Sequence, residues 1–136
     1  MKVVLDTSAV VAWYVEQPTS AAARRWRDDA TAGRVEAVEP ALHFVEFANV
    51  LRTYVRRREI ERLVAETIWE VHLDVPFVLY EPARESILTT ALTYDSTVYD
   101  AVFIQTALEC EALLVTAERR TTLWVTRLGS QAFSLA

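Results

Sequence analysis

Four carboxylates stand where apolar surroundings would make each of them costly. Asp6 closes the run Val3-Val4-Leu5, Glu46 sits between Val45 and Phe47, Asp100 interrupts Val98-Tyr99-Asp100-Ala101-Val102-Phe103-Ile104, and Glu118 lies just past Leu113-Leu114-Val115. Burying a lone carboxylate costs several kcal/mol unless it is neutralised or paired. At helical spacing the neighbours of Glu46 are His43 at i−3 and Asn49 at i+3, which predicts a narrow polar stripe along an otherwise core-like helix. A cation would relieve Glu46, and so would an Arg partner or an escape to the surface. The other acids have ordinary readings too. Thr97-x-x-Asp100 fits a capping-box-like pattern, and Asp6 suits the cap of a helix beginning near Ser8.

Convergence of the four at one mouth of a sheet would demand a cation. An all-oxygen donor set selects hard ions, Mg²⁺ or Mn²⁺. One or two such ions lower the pKa of a bound water and clamp an in-line phosphoryl displacement, which is nuclease chemistry. Ser8 and Thr116 offer hydroxyls near the same strand ends to orient a water, with bonds to local backbone as their plainer role.

The elements that must position these groups alternate. Val3 to Leu5 reads as a strand buried on both faces, Ser8 to Val15 as a short helix, and Pro18-Thr19 as the opening of a second helix that Gly33 ends. Val35 to Val38 is a second strand. Ala41 to about Arg58 is strongly helical, and another helix carries Val64, Ile68, Val71 and Val75 until Pro76 stops it. Phe77 to Tyr80 is a third strand, Ile87 to Leu92 marks a helix, and a further helix begins near Val98. Leu113 to Val115 is the fourth strand, Glu118 to Leu128 a last helix with Gly129 as its cap, and Ala132 to Leu135 an edge-like fifth strand. The pattern predicts one α/β domain over residues 1–136, a three-layer α/β/α sandwich around a parallel sheet of about five strands. Ligands of such sheets bind beyond the carboxyl ends of the strands, where strand order reverses. Asp6 and Glu118 meet there if the first and fourth strands are neighbours.

Composition narrows the chemistry. The chain has 136 residues, 52% of them hydrophobic, enough for a core without a metal or disulfide staple. With Gly only at 33 and 129, neither a Walker-type loop, nor G-x-G-x-x-G, nor G-x-S-x-G can occur. One Cys and two His exclude the usual structural zinc sites and fit a reducing, cytoplasmic setting. The apolar runs are too short for a membrane span, and Asp6 breaks the one near the start before it could act as an export signal. A net charge of −5 disfavours whole-molecule attraction to nucleic acid, so any such partner must meet local arginines: Arg24, Arg25, Arg27 and Arg34, the run Arg56 to Arg58 with Arg62, or Arg119 with Arg120. The four tryptophans are expected mostly in the core, with Trp13 and Trp26 as alternative groove-lining residues; Cys110 is expected as a small core residue and His72 on a helix surface.

The segments VVLDTSAVVAW, EPALHFVEFANVLRTYVRR and TVYDAVFIQTALECEALLVTAERR, in that order and across essentially the whole chain, resemble PIN domains, specifically VapC-type ribonuclease toxins. The resemblance implies strand order 3-2-1-4-5, which places the first and fourth strands side by side. It implies Asp6, Glu46 and Asp100 as the conventional metal-site acids, Asn49 and Thr116 as supporting residues, and Mg²⁺- or Mn²⁺-dependent hydrolysis of RNA phosphodiesters. A cognate antitoxin and a dimer of the catalytic chain are implied as well. The family's fourth acid is usually Asp, and here it is Glu118, one methylene longer, so binding through water or support of only a second, weaker ion is expected there. Two rivals stand beside this reading. An aspartyl-nucleophile phosphotransfer domain wants a basic partner near a late strand, and Lys2 is the only lysine. A degenerate PIN-like module would bind RNA or protein without turnover.

Overall fold

The computed structural model describes residues 1–136 and builds a five-stranded, wholly parallel sheet in the order β3-β2-β1-β4-β5. The strands are β1 (Lys2–Leu5), β2 (Glu36–Glu39), β3 (Val78–Leu79), β4 (Leu113–Thr116) and β5 (Ala132–Ser134). The helices are α1 (Thr7–Tyr14), α2 (Ser20–Thr31), α3 (Leu42–Arg56), α4 (Arg62–Leu73), α5 (Ile87–Tyr94), α6 (Val98–Cys110) and α7 (Leu123–Leu128).

Side chains alternate across the central strands, and each face finds its own core. Val3 and Leu5 enter a cluster with Val10, Trp13, Phe47 and Leu51 from α1 and α3, whereas Val4 and Leu114 join Phe103, Ile104, Trp124 and Val125 from α6 and α7. Burial on both sides is why β1 reads as an unbroken apolar run rather than an alternating one. Each fully buried aliphatic side chain there contributes roughly 1.5–3 kcal/mol. The outer strand β3 is only two residues long and exposed, a length that limits edge pairing.

Register places the strand ends. Leu5 pairs with Val115, and the Asp6 amide donates to the Val115 carbonyl at 3.1 Å, so Asp6 emerges beside the end of β4. The adjacency of the first and fourth strands thus holds.

Four sequence expectations change. The last helix begins at Leu123, not Glu118. The Ala117 and Glu118 amides donate to the Ser8 and Thr116 hydroxyls at 3.0 Å each, which holds this stretch as a turn, and Thr122 becomes the residue preceding the helix. His72 is not on a surface but fully buried, because α4 turns that face toward α1 and α3. Trp13 is buried with its indole N–H donated to the Ala23 carbonyl at 2.9 Å, so it lines no groove; Trp124 is buried as well, and Trp26 is half-buried edge-on to Phe133. Cys110 is partly exposed at the end of α6.

Candidate active site

Asp6 is both a strand end and a helix cap. Its Oδ1 accepts the Ala9 amide at 3.1 Å and the Ser8 hydroxyl at 2.6 Å, and only 6% of the residue is exposed. These bonds favour the charged form, but burial outweighs them and raises its pKa to about 6. Ser8 passes the constraint on: its oxygen accepts the Ala117 amide and lies 3.4 Å from the Thr116 hydroxyl, which tethers α1 to the turn after β4.

Glu46 projects from the middle of α3, half-buried, and its Oε1 accepts the Thr7 hydroxyl at 2.7 Å. Thr7 was not singled out from the sequence, although its place one residue after Asp6 in LDTSA was a signal. Asn49, one turn on, lines the same cleft and is exposed. His43 is not on that stripe; it is buried and turned away from the cleft. The expected three-residue polar stripe is therefore two residues wide.

Asp100 stands in the first turn of α6 with its amide held by the Thr97 hydroxyl at 3.0 Å, so the capping pattern is real. The cap uses the Asp100 backbone and leaves the carboxylate to the cleft. Burial chiefly raises its pKa, and the charges of Glu118 and Glu46 push it further in the same direction. Asp100 in turn raises Asp6. The four acids thus act on one another through space. Glu118 is the exposed member, its Oε2 lying 3.4 Å from the Thr122 hydroxyl.

All four line one cleft of about 480 Å³, with Thr7, Ser8, Asn49 and Gln17 as polar neighbours and Val11, Val50 and Phe103 as apolar ones. No Lys, Arg or His lines it, and every ion pair of the protein lies elsewhere, at Glu16, Asp28, Asp29, Glu66 and Glu39. Lys2 opens β1 at the end of the strand opposite Asp6, which removes the basic partner that an aspartyl-nucleophile site requires. The carboxylates line the cleft walls without closing into a compact three-ligand cluster. A buried, unneutralised Asp6 facing other carboxylates, with oxygen as the only donor type, fits a hard divalent cation.

The PIN domain family model matches residues 3–122. Ribonuclease VapC3 of Pyrobaculum aerophilum is 32% identical over 124 residues, 88% of this chain and 92% of that protein. Among solved structures, PAE2754 from Pyrobaculum aerophilum superposes with a TM-score of 0.73 at 20% identity, over 99% of this chain and 84% of its own. VapC20 of Mycobacterium tuberculosis, a toxin that cleaves the sarcin-ricin loop, superposes with a TM-score of 0.64 at 11% identity, over 94% of this chain and 95% of its own. This chain belongs to the PIN-domain family. Its relatives and structural neighbours include VapC proteins.

Proposed function

We propose that the chain is a Mg²⁺- or Mn²⁺-dependent endoribonuclease and the toxin of a type II toxin–antitoxin pair. One observation carries the reading: a cleft at the β1/β4 switch point walled by Asp6, Glu46, Asp100 and Glu118 with no basic side chain among them. The ribonuclease relative and the toxin neighbour support it. When bound, the ion supplies Lewis-acid activation of water and of the phosphodiester. Asp6 and Asp100, the two acids most withdrawn from water, would hold it directly. Glu46, hydrogen-bonded by Thr7, would ligate it or would hold the water that attacks phosphorus, and the exposed Glu118 would complete the site from the rim. Ser8, hydrogen-bonded to Asp6, keeps that carboxylate aimed into the cleft, and Asn49 and Thr116 support its wall and floor.

The other partners follow from the surface. Arg119 and Arg120, exposed directly after Glu118, are placed to meet RNA phosphates that the acidic cleft would otherwise repel. Leu88, Leu92, Val98 and Tyr99 lie exposed on α5 and α6 and suit a homodimer contact. No helix is long and apolar enough to cross a membrane. The antitoxin and the cytoplasmic setting belong to the same proposal, and the single cysteine agrees with the latter.

The test is cleavage of total cellular RNA by the purified chain. Cleavage is expected with Mg²⁺ or Mn²⁺, is expected to stop with EDTA and to return with excess metal; activity that survives chelation overturns the proposal. A second reading, a module with a degenerate site, draws on the exposure of Glu118. It requires that calorimetric titration show no Mn²⁺ binding in the millimolar range. Thr7→Val, which removes the hydroxyl bonded to Glu46, is expected to lower turnover about tenfold, since a hydrogen bond to a charged group is worth about 1.5–3 kcal/mol. Unchanged single-turnover rates would show that Glu46 needs no such orientation.

A further inference from the structure

The most unusual group in the core lies outside the cleft. Glu39, the last residue of β2, is completely buried, and so are His43 on α3 and His72 on α4. The Leu5 amide donates to Glu39 Oε1 at 2.7 Å. Glu39 Oε2 and His43 Nδ1 approach to 3.3 Å as a buried ion-pair contact that is not aligned as a regular hydrogen bond, and neither atom has a hydrogen-bond partner elsewhere. His43 Nε2 lies 2.8 Å from His72 Nε2, and His72 Nδ1 lies 2.9 Å from the Tyr14 hydroxyl at the end of α1. Rings of Trp13, Phe47 and Phe77 surround His72, with centroids 4.5 to 5.8 Å away, so the chain passes through an apolar shell.

Donor bookkeeping gives this chain a direction. Burial and the neighbouring His43 drive the His72 pKa down to about 3, so His72 carries a single ring proton, and burial pushes Tyr14 up to about 12, so the phenol keeps its own. The Leu5 amide fixes Glu39 Oε1 as an acceptor. Burial raises the Glu39 pKa while His43 and the Leu5 amide oppose the rise, and it is the ionised carboxylate that sets the direction. The consistent arrangement runs from Tyr14 O–H to His72 Nδ1, from His72 Nε2–H to His43 Nε2, and from His43 Nδ1–H to the Glu39 carboxylate.

Its Glu39 end and its inner member His43 touch the elements that carry the acids. Backbone pairing of β1 with β2 extends through Val3 and Ala37, and beyond it the Glu39 side chain supplies the bond to Leu5, directly before Asp6. On the other side of β1 the Asp6 amide bonds to Val115. His43 lies one helical turn before Glu46 on α3.

We propose that Glu39 is a positioning residue: through the buried chain Glu39–His43–His72–Tyr14 it locks the end of β1 that presents Asp6 to the helix that presents Glu46. This rests on reading Asp6 and Glu46 as the metal-site acids. Groups hydrogen-bonded directly to metal ligands set affinity by about 10–100-fold, and Glu39 acts one link further out, through the Leu5 amide and His43, so the lower end of that range is expected.

The experiment uses the full chain as wild type, Glu39→Gln and Glu39→Leu. It reads imidazole tautomers by long-range ¹H–¹⁵N NMR and Mn²⁺ affinity by calorimetry. The wild type is expected to show His43 protonated on Nδ1 and His72 on Nε2. In Glu39→Gln the Leu5 amide holds the side-chain oxygen, so the amide N–H faces His43 Nδ1. Both histidines are then expected to invert their tautomers, while Mn²⁺ affinity stays within about threefold. Glu39→Leu, which leaves the Leu5 amide without an acceptor, is expected to weaken Mn²⁺ about tenfold or more. A folded Glu39→Leu that binds Mn²⁺ as the wild type does overturns the positioning role, and unchanged tautomers in Glu39→Gln overturn the chain itself. Should Glu39→Leu fail to fold, Glu39→Ala replaces it: it too leaves the Leu5 amide without its acceptor, and a folded Glu39→Ala with wild-type Mn²⁺ affinity overturns the positioning role. A wild type that binds no Mn²⁺ while its tautomers stand as assigned marks the failure as that of the nuclease reading.

Discussion

Asp6→Asn is expected to abolish RNA cleavage, by about a thousandfold or more, and at the same time to raise the melting temperature of the metal-free protein. Both effects have one source. Asp6 is almost fully buried, receives hydrogen bonds from Ser8 and Ala9, and faces Asp100 with no cation beside it. Its pKa in the folded state, about 6, stands above its ordinary value of 3.8. Between these values the folded chain holds a proton that the unfolded chain releases, so stability falls as pH rises through the interval from about 4 to 6. Below pH 4 the penalty is absent, and above pH 6 it is complete. A shift of about two units corresponds to a ceiling of about 3 kcal/mol, or several degrees of melting temperature for a domain of this size. Asn keeps an oxygen for the Ala9 amide and the Ser8 hydroxyl and removes the charge. Melting the two proteins with EDTA at pH 4 and pH 7.5 checks the sign. The variant should gain at pH 7.5 and show little difference at pH 4, and a variant that melts lower at pH 7.5 would refute the account.

Divalent metal should reverse that penalty, and the reversal should depend on pH. A ligand that binds only the folded state at a hundred times its dissociation constant contributes about 2.7 kcal/mol. Protons compete for the same oxygens, because a carboxylate must be ionised to ligate. Asp6 titrates near 6, and Asp100 is raised by burial and by Glu118 and Glu46. The melting-temperature increment from millimolar Mn²⁺ is therefore expected to be several degrees at pH 7.5, to shrink through pH 6 and to vanish below about pH 5. Differential scanning fluorimetry across that range checks it. An increment that persists at pH 4.5 would place the ion on other groups. In Asp6→Asn the increment should be largely lost at every pH.

Legibility differed between groups for physical reasons. The β1 run was plain because a strand buried on both faces needs consecutive apolar residues, and Asp6 was plain because it ends that run. Thr97, not Asp100, is the cap: its hydroxyl accepts the Asp100 amide, and the Asp100 carboxylate lines the cleft. His43 was grouped with Glu46 on spacing alone. Residues three apart on a helix stand about 60° apart on either side of the central one, so His43 and Asn49 flank Glu46 about 120° from each other, and the partners across α1 and α4 decided that the His43 side is the inward one. The apolar period of α4 points to Val64 and Val71 as its inward face, but both are exposed with Leu73, and the helix instead turns Ala65 and His72 inward. Glu39 drew no attention as a strand-end acid before Pro40, since its acceptor role depends on Leu5, 34 residues away.

The order of apolar runs and turn residues alone determined the alternating α/β layout, the parallel sheet and the places of Asp6, Glu46 and Asp100 along it, because periodicity and strand length are local properties of a chain. Tertiary structure alone decided that these acids share one cleft without a guanidinium, that Thr7 orients Glu46, and that Glu39 reaches across β1 to His43 and His72. Those facts depend on which side chains meet after the sheet has closed its order. The energy of a carboxylate is set by the water it loses and the charges it then faces, and neither exists until the chain has folded.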